Sequence, residues 1–267
     1  YVPTPQSFVL LRRVAARSRA PNAYLGYGGY SPIGQGVAAQ ALAVARDGTP
    51  AAGPACAADA RDLASLPRLP LAESEIALTA EKLGVGRAAG ARTGGAFSRS
   101  SVLRGGLERY RILHFATHAL LPTELRCLQQ PVILTGAGTA QEAMLTTADI
   151  AALRMDAELV VLSACNTAGP DGRSAGEAFS GLARSFFTAG TRGVLASHWN
   201  VADESTTLMM ISLLIEVGKG TSAAVALRNV QVAFLDGAGS GGDPVRWAHP
   251  FYWAPFAFAG VGAQPGS

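Results

Sequence analysis

The stretch Glu158-Leu-Val-Val-Leu-Ser-Ala-Cys165 constrains the fold more than any other part of the chain. Its apolar run is bounded by polar and glycine-rich sequence, the pattern of a short strand buried on both faces in the middle of a parallel sheet. A companion run, Arg111-Ile-Leu-His-Phe-Ala-Thr-His118, ends in a histidine 47 residues before Cys165. In open α/β sheets, chemistry collects at the carboxyl ends of central strands. A histidine and a cysteine ending two neighbouring strands are what thiol catalysis requires: a nucleophile and a base beside it.

Strand and helix patterns alternate around these two runs. Strands are expected at residues 23–27, 192–197 and 252–260, with a weak edge strand within 85–93 and a hairpin from 131–135 and 143–146. Helices are expected at 7–19, 73–83, 98–107 (with Ser98 as N-cap), 147–153, 176–190, 203–217 and from a capping Thr221 to about 236. The alternation predicts an α/β fold with a mostly parallel central sheet and helices on both faces. Residues 37–70 are rich in Ala, Pro and Gly with little periodicity and read as a long surface loop or weak helix.

Composition fits one core and narrows function. Of 267 residues, 49% are hydrophobic and 15% charged, enough apolar material for one large α/β domain. A net charge of +3 with no block of like charges points away from nucleic acid. No apolar run is long enough to span a bilayer. The chain opens at Tyr1 rather than a methionine, so upstream sequence is expected and compartment is left open, with the cytoplasm favoured. Three cysteines, Cys56, Cys127 and Cys165, lack metal-ligand spacing, and Cys56 and Cys127 read equally well as free or paired. No metal and no cofactor are expected.

Each candidate residue has a plainer alternative. A lone cysteine is more often a small core residue; His118 could be a surface histidine at a strand end. The pairing of the two favours catalysis. His114 would lie about 13 Å from His118 on an extended strand, too far to share a metal, and reads as a core histidine satisfied by hydrogen bonds. Asp203 reads either as a helix cap or as a carboxylate pairing with a basic P1 side chain; Asp171 and Glu177 are weaker candidates for the second task. The glycine-rich loop 28–36 follows a strand, but its spacing, Pro32 and the lack of a following amphipathic helix argue against a dinucleotide site. His198 and His249 read as loop residues.

Several segments occur together and in order: His114-Phe-Ala-Thr-His118, Leu162-Ser-Ala-Cys165-Asn-Thr, Gly176-Glu-Ala-Phe, Phe186-Phe-Thr-Ala-Gly190, Ser197-His-Trp-Asn-Val-Ala-Asp203, Ala226-Leu-Arg228 and His249-Pro-Phe-Tyr-Trp-Ala-Pro-Phe256. This set resembles the CHAT domain, a caspase-like peptidase domain often attached to tetratricopeptide repeats. The resemblance covers residues 71–260 as a core, with 1–70 matching more loosely, and treats 1–267 as one domain. The spacing of the two catalytic candidates is close to the separation of roughly 50 residues seen in caspases.

The resemblance implies a caspase–haemoglobinase fold and a cysteine endopeptidase acting on a protein or peptide substrate. It implies His118 and Cys165 as the dyad, with the backbone N–H of Ala119 helping to form the oxyanion site. The residues themselves are read as adding the Cys165 N–H to that site, the segment Ser197 to Trp199 as pairing with an extended substrate, and Asp203 as the carboxylate near the substrate. The resemblance also implies an upstream repeat or sensor region that activates a latent enzyme. Caspase-like relatives usually carry glycine where this chain has Ala119; alanine still supplies the N–H but fewer backbone angles. Caspases carry a cleavable linker after the cysteine strand, whereas here a short loop and a helix fill that interval, so activation without cutting is expected. The alternative is a signalling or interaction module that keeps the fold without catalysis.

Overall fold

A computed structural model describes residues 17–46, 54–122, 124–163, 174–198, 201–237 and 247–260. The expected helix at 7–19 lies largely outside these residues. In chain order the strands are β1 (Asn22–Gly28), β2 (Ala91–Thr93), β3 (Tyr110–Ala116), β4 (Ala119–Leu120), β5 (Val132–Leu134), β6 (Met144–Thr146), β7 (Leu159–Leu162), β8 (Gly193–Ser197) and β9 (Phe256–Gly260). The helices are α1 (Gln35–Ala45), α2 (Pro54–Ala64), α3 (Ala72–Lys82), α4 (Arg87–Gly90), α5 (Arg99–Leu103), α6 (Thr147–Ala151), α7 (Ser174–Ala189), α8 (Asp203–Gly218) and α9 (Ala223–Leu235).

The main sheet has the order β2-β1-β3-β7-β8-β9; only β9 runs antiparallel to its neighbour. The two apolar runs are thus adjacent parallel strands, with His114 in register with Val161 and Phe115 with Leu162. Their side chains alternate between two cores with the period of a strand. Leu113, Phe115, Val160 and Leu162 join Leu182 and Phe186 of α7 on one face. Ile112, Leu159 and Val161 join Met209, Met210 and Leu213 of α8 on the other. Fully burying each such side chain contributes about 1.5–3 kcal/mol, which is why these continuous apolar runs settle at the centre.

Helix α3 also covers that second face, lying close over β1 because two positions there lack a side chain. A Cβ at Gly26 would come within 2.6 Å of Ile76, and one at Gly28 within 2.9 Å of the Ala72 carbonyl oxygen. The close approach brings the start of α3, and the segment before it, to the carboxyl ends of β1 and β3. Chain order reverses between those two strands, β2 lying to one side of β1 and β3 to the other; such a reversal opens a crevice.

A second sheet, β4-β5-β6, is antiparallel and contains the expected hairpin. It packs with α1 and α2 in a third core of Leu42, Leu63, Leu120, Val132 and Leu134. Residues 37–70, expected as a long surface loop or weak helix, hold two helices, so the loop alternative is corrected here. Helix α1 follows the glycine-rich loop directly, and α2 comes after it. Alanines at 38, 41, 45 and 60 are buried; because alanine serves either face of a helix, the sequence shows no clear apolar stripe. Cys56 of α2 and Cys127 form a disulfide.

Smaller corrections concern element ends. The stretch 85–93 divides into α4 and the edge strand β2. The last strand begins only at Phe256, after a 3₁₀ turn at Pro250–Tyr252; Pro250 and Pro255 cannot donate to a ladder. Ser222, not Thr221, occupies the cap position of α9. Ser98 caps α5 as expected, in a reciprocal capping box with Ser101. Among the described residues no helix is long and apolar enough to cross a membrane.

Candidate active site

Two residues after β3 ends at Ala116, the chain places His118 at the crevice. Its backbone is held by β5: the Leu134 N–H donates to the His118 carbonyl at 2.9 Å, and the Thr117 hydroxyl donates to the Leu134 carbonyl at 2.9 Å. The imidazole is only 6% exposed. Tyr30, just beyond β1, meets it edge-to-face with ring centroids 5.2 Å apart. Its Nε2 lies 2.9 Å from the Pro67 carbonyl oxygen. A carbonyl can only accept, so Nε2 carries the proton and Nδ1 keeps its lone pair. Burial holds the His118 pKa below its ordinary value of 6.5, opposed by the Pro67 hydrogen bond and by the charge of Asp203.

Pro67 belongs to the segment Pro67-Arg-Leu-Pro-Leu71, which links α2 to α3 like a strap. Its other end is also held: the Leu71 N–H donates to Asp203 Oδ2 at 3.0 Å. Asp203 does not cap α8; Ala202 occupies that position and gives no side-chain cap bond. The helix-cap reading of Asp203 is therefore corrected, and the carboxylate turns instead to the strap and the histidine. Burial raises its pKa above the ordinary value of 3.8; the Leu71 N–H opposes the rise, the charge of Glu75 adds to it and His118 opposes it.

Cys165 comes three residues after β7 ends at Leu162 and lies outside the described residues, as do Trp199 and Asp171; of the Glu177 side chain nothing is described. The approach to Cys165 is described as far as Ser163, whose N–H donates to the Phe115 carbonyl at 3.1 Å. Both candidate dyad residues thus follow the carboxyl ends of adjacent parallel strands. Ala119 opens β4 opposite Ile133. Residues along an antiparallel strand alternate in the direction of their N–H groups. Because His118 and Leu134 form the hydrogen-bonded step, the Ala119 N–H points away from β5. Ser197 ends β8 in register with Phe256, and the His198 N–H donates to the Pro255 carbonyl at 3.0 Å. The β9 side of that segment is therefore occupied.

His114 is the core histidine the sequence suggests, fully buried and hydrogen-bonded to Tyr24 and Ser163. Sequence reading missed Pro67 and Tyr30. Pro67 contributes a backbone atom, which no side-chain pattern signals, and Tyr30 lies within the loop examined for nucleotide binding. Among the described residues no group of three or more His, Cys, Asp or Glu is arranged to hold a metal ion.

A mostly parallel six-stranded sheet between helical layers, with histidine and cysteine segments following adjacent strand ends, defines a caspase-like α/β protein. A family model described as "CHAT domain" matches residues 1–261, and the chain belongs to that family. No curated protein matches it significantly.

Proposed function

We propose that this protein is a cysteine endopeptidase in which Cys165 is the nucleophile and His118 the general base and acid. One observation carries the reading: the Nε2–H of His118 is donated to the Pro67 carbonyl at 2.9 Å. A base oriented by a third group, with its other nitrogen free to take a proton, is the arrangement that activates a nucleophile.

In the proposed reaction Nδ1 of His118 takes the Cys165 proton, and the thiolate attacks the scissile carbonyl carbon. Negative charge forms on the carbonyl oxygen, where the N–H groups of Ala119 and Cys165 stabilise it. Pro67 and Asp203 favour the imidazolium, which then passes its proton to the leaving amine. Water, activated by the same imidazole, hydrolyses the thioester. The Asp203 carboxylate favours a basic P1 side chain, and the substrate extends along the segment 197–199. Activation comes from an upstream repeat or sensor region rather than from cutting between 166 and 174.

Incubation of a peptide library with wild type and Cys165→Ala tests the proposal. Cleavage by wild type alone is expected, with basic P1 residues enriched. Equal cleavage by both proteins would end the peptidase reading. No cleavage by either, with a Cys165 thiol no more reactive than a free cysteine at neutral pH, would favour the interaction module.

A further inference from the structure

Beneath the two strand ends, a group of polar side chains occupies an otherwise apolar layer. Its centre is the pair Glu75 of α3 and His114 of β3, 1% and 0% exposed. His114 Nε2 is hydrogen-bonded to the Ser163 hydroxyl at 3.1 Å and also lies 2.8 Å from Glu75 Oε1, an approach without hydrogen-bond alignment that leaves this buried oxygen with no hydrogen-bond partner among the described residues. His114 Nδ1 lies 3.0 Å from the Tyr24 hydroxyl. The second carboxylate oxygen of Glu75 accepts from Thr207 of α8 at 3.1 Å. Residues of β1, α3, β3 and α8 thus meet in one buried cluster, and through His114 that cluster touches Ser163 of the chain leading to Cys165.

The cost of this arrangement calls for a role. Burying a carboxylate is expensive even when it is paired, and well-packed apolar residues usually serve stability as well or better. The neighbours on this face, Ile112, Leu159 and Val161, are apolar. What a polar group adds is direction: in a dry interior a hydrogen bond fixes a particular atom at a particular distance. The atom fixed here is the Ser163 hydroxyl, and the Ser163 N–H is held independently by Phe115. Ser163 is therefore held to β3 through both backbone and side chain, two residues before Cys165.

We propose that Glu75 and His114 are positioning residues that hold Ser163, and through it the chain entering Cys165, in register with the strand leading to His118. The proposal rests on the peptidase reading for its catalytic consequence. The charge of Glu75 also reaches Asp203, whose carboxyl it helps push up, so the pair communicates with the site on the α8 side as well.

The test uses alkylation of Cys165 by iodoacetamide across pH, with Cys165→Ala as blank, together with hydrogen exchange of the peptide spanning 159–168. The variants are Ser163→Ala, Glu75→Gln, their combination and His118→Ala, each assayed well below its melting midpoint. A residue that merely stabilises the fold would, when lost, expose the thiol and speed alkylation; loss of positioning slows it. Ser163→Ala is expected to slow the reaction by about tenfold at neutral pH and to move its midpoint toward that of a free thiol, about 8.5. Glu75→Gln added to Ser163→Ala should slow it no further, since both act through His114. Wild-type rates in Ser163→Ala, or independent slowing by the two changes, would overturn the proposal. If Glu75→Gln does not fold, Ser163→Ala alone decides. If His118→Ala reacts like wild type, the dyad reading falls, and hydrogen exchange then decides the tether: faster exchange of 159–168 in Ser163→Ala upholds it, and unchanged exchange removes it.

Discussion

His118 Nε2 and the Pro67 carbonyl oxygen are 2.9 Å apart although 51 positions separate them in the chain. The contact exists because the strap between α2 and α3 runs past the carboxyl end of β3, held at its far end by Asp203. It sets which nitrogen of the imidazole holds a proton, and so which can accept one.

His118 is expected to titrate below 6.5, because burial outweighs the two influences that favour its charged form. Nitrogen and C2–H magnetic resonance of the Cys165→Ala protein should show the Nε2–H tautomer and a depressed midpoint. The folded state then binds this proton more weakly than the unfolded chain does. The contribution to stability is present above 6.5 and is lost as pH falls through the folded midpoint. A midpoint at or above 6.5, or the opposite tautomer, would contradict the geometry.

Asp203→Asn separates charge from scaffolding. The amide oxygen can still accept the Leu71 N–H, so the strap should stay in place. The negative charge that raises the His118 pKa disappears, and the histidine midpoint should fall further. Because the folded Asp203 pKa is raised, its contribution to stability is present below 3.8 and lost as pH rises. The variant should therefore melt no lower than wild type at pH 7, while its preference for basic P1 residues falls by about tenfold or more. A lower melting point with P1 preference intact would assign Asp203 to structure alone.

The two central strands were legible in sequence because burial on both faces leaves an apolar run, broken in β3 only by His114. Their ends, and hence His118, were legible for the same reason. The α1–α2 layer was not, because alanine packs without marking a face. Asp203 was legible as a carboxylate of interest but not in its partner, since the Leu71 N–H comes from a segment 132 positions away. The Glu75–His114 contact joins residues from different elements, and nothing in their local patterns announces it. Short-range physics is written along the chain, whereas a backbone acceptor or a buried carboxylate–imidazole contact arises only when the chain is folded.

The Cys56–Cys127 disulfide closes a long loop, its cysteines 71 positions apart, and pins α2 to the segment after β4. Constraint of the unfolded chain makes such a bond worth about 2–4 kcal/mol, or several degrees of melting temperature for a domain of this size. Dithiothreitol, or Cys56→Ser with Cys127→Ser, should lower the midpoint accordingly. The strap begins three residues after α2 ends at Ala64, so the same treatment should broaden the His118 resonances. An unchanged midpoint under reducing conditions would mean that the bond does not form in solution.

Glu124 gives a pH dependence separate from the active site. Its Oε2 accepts the Leu121 N–H at 2.9 Å, but burial pushes its pKa from 4.5 up to about 7. The folded protein therefore keeps a proton that the unfolded chain releases above 4.5. The associated stability is fully present below 4.5 and is lost as pH rises through about 7. Glu124→Gln preserves the side-chain oxygen and removes the charge. It should raise the melting point at pH 8, by an amount corresponding to about 1 kcal/mol once solvent screening is allowed for, and change it little at pH 4. Melting curves of both proteins at the two pH values check this directly: an equal gain at each would show that the substitution acts through packing, with no part played by the carboxyl's titration.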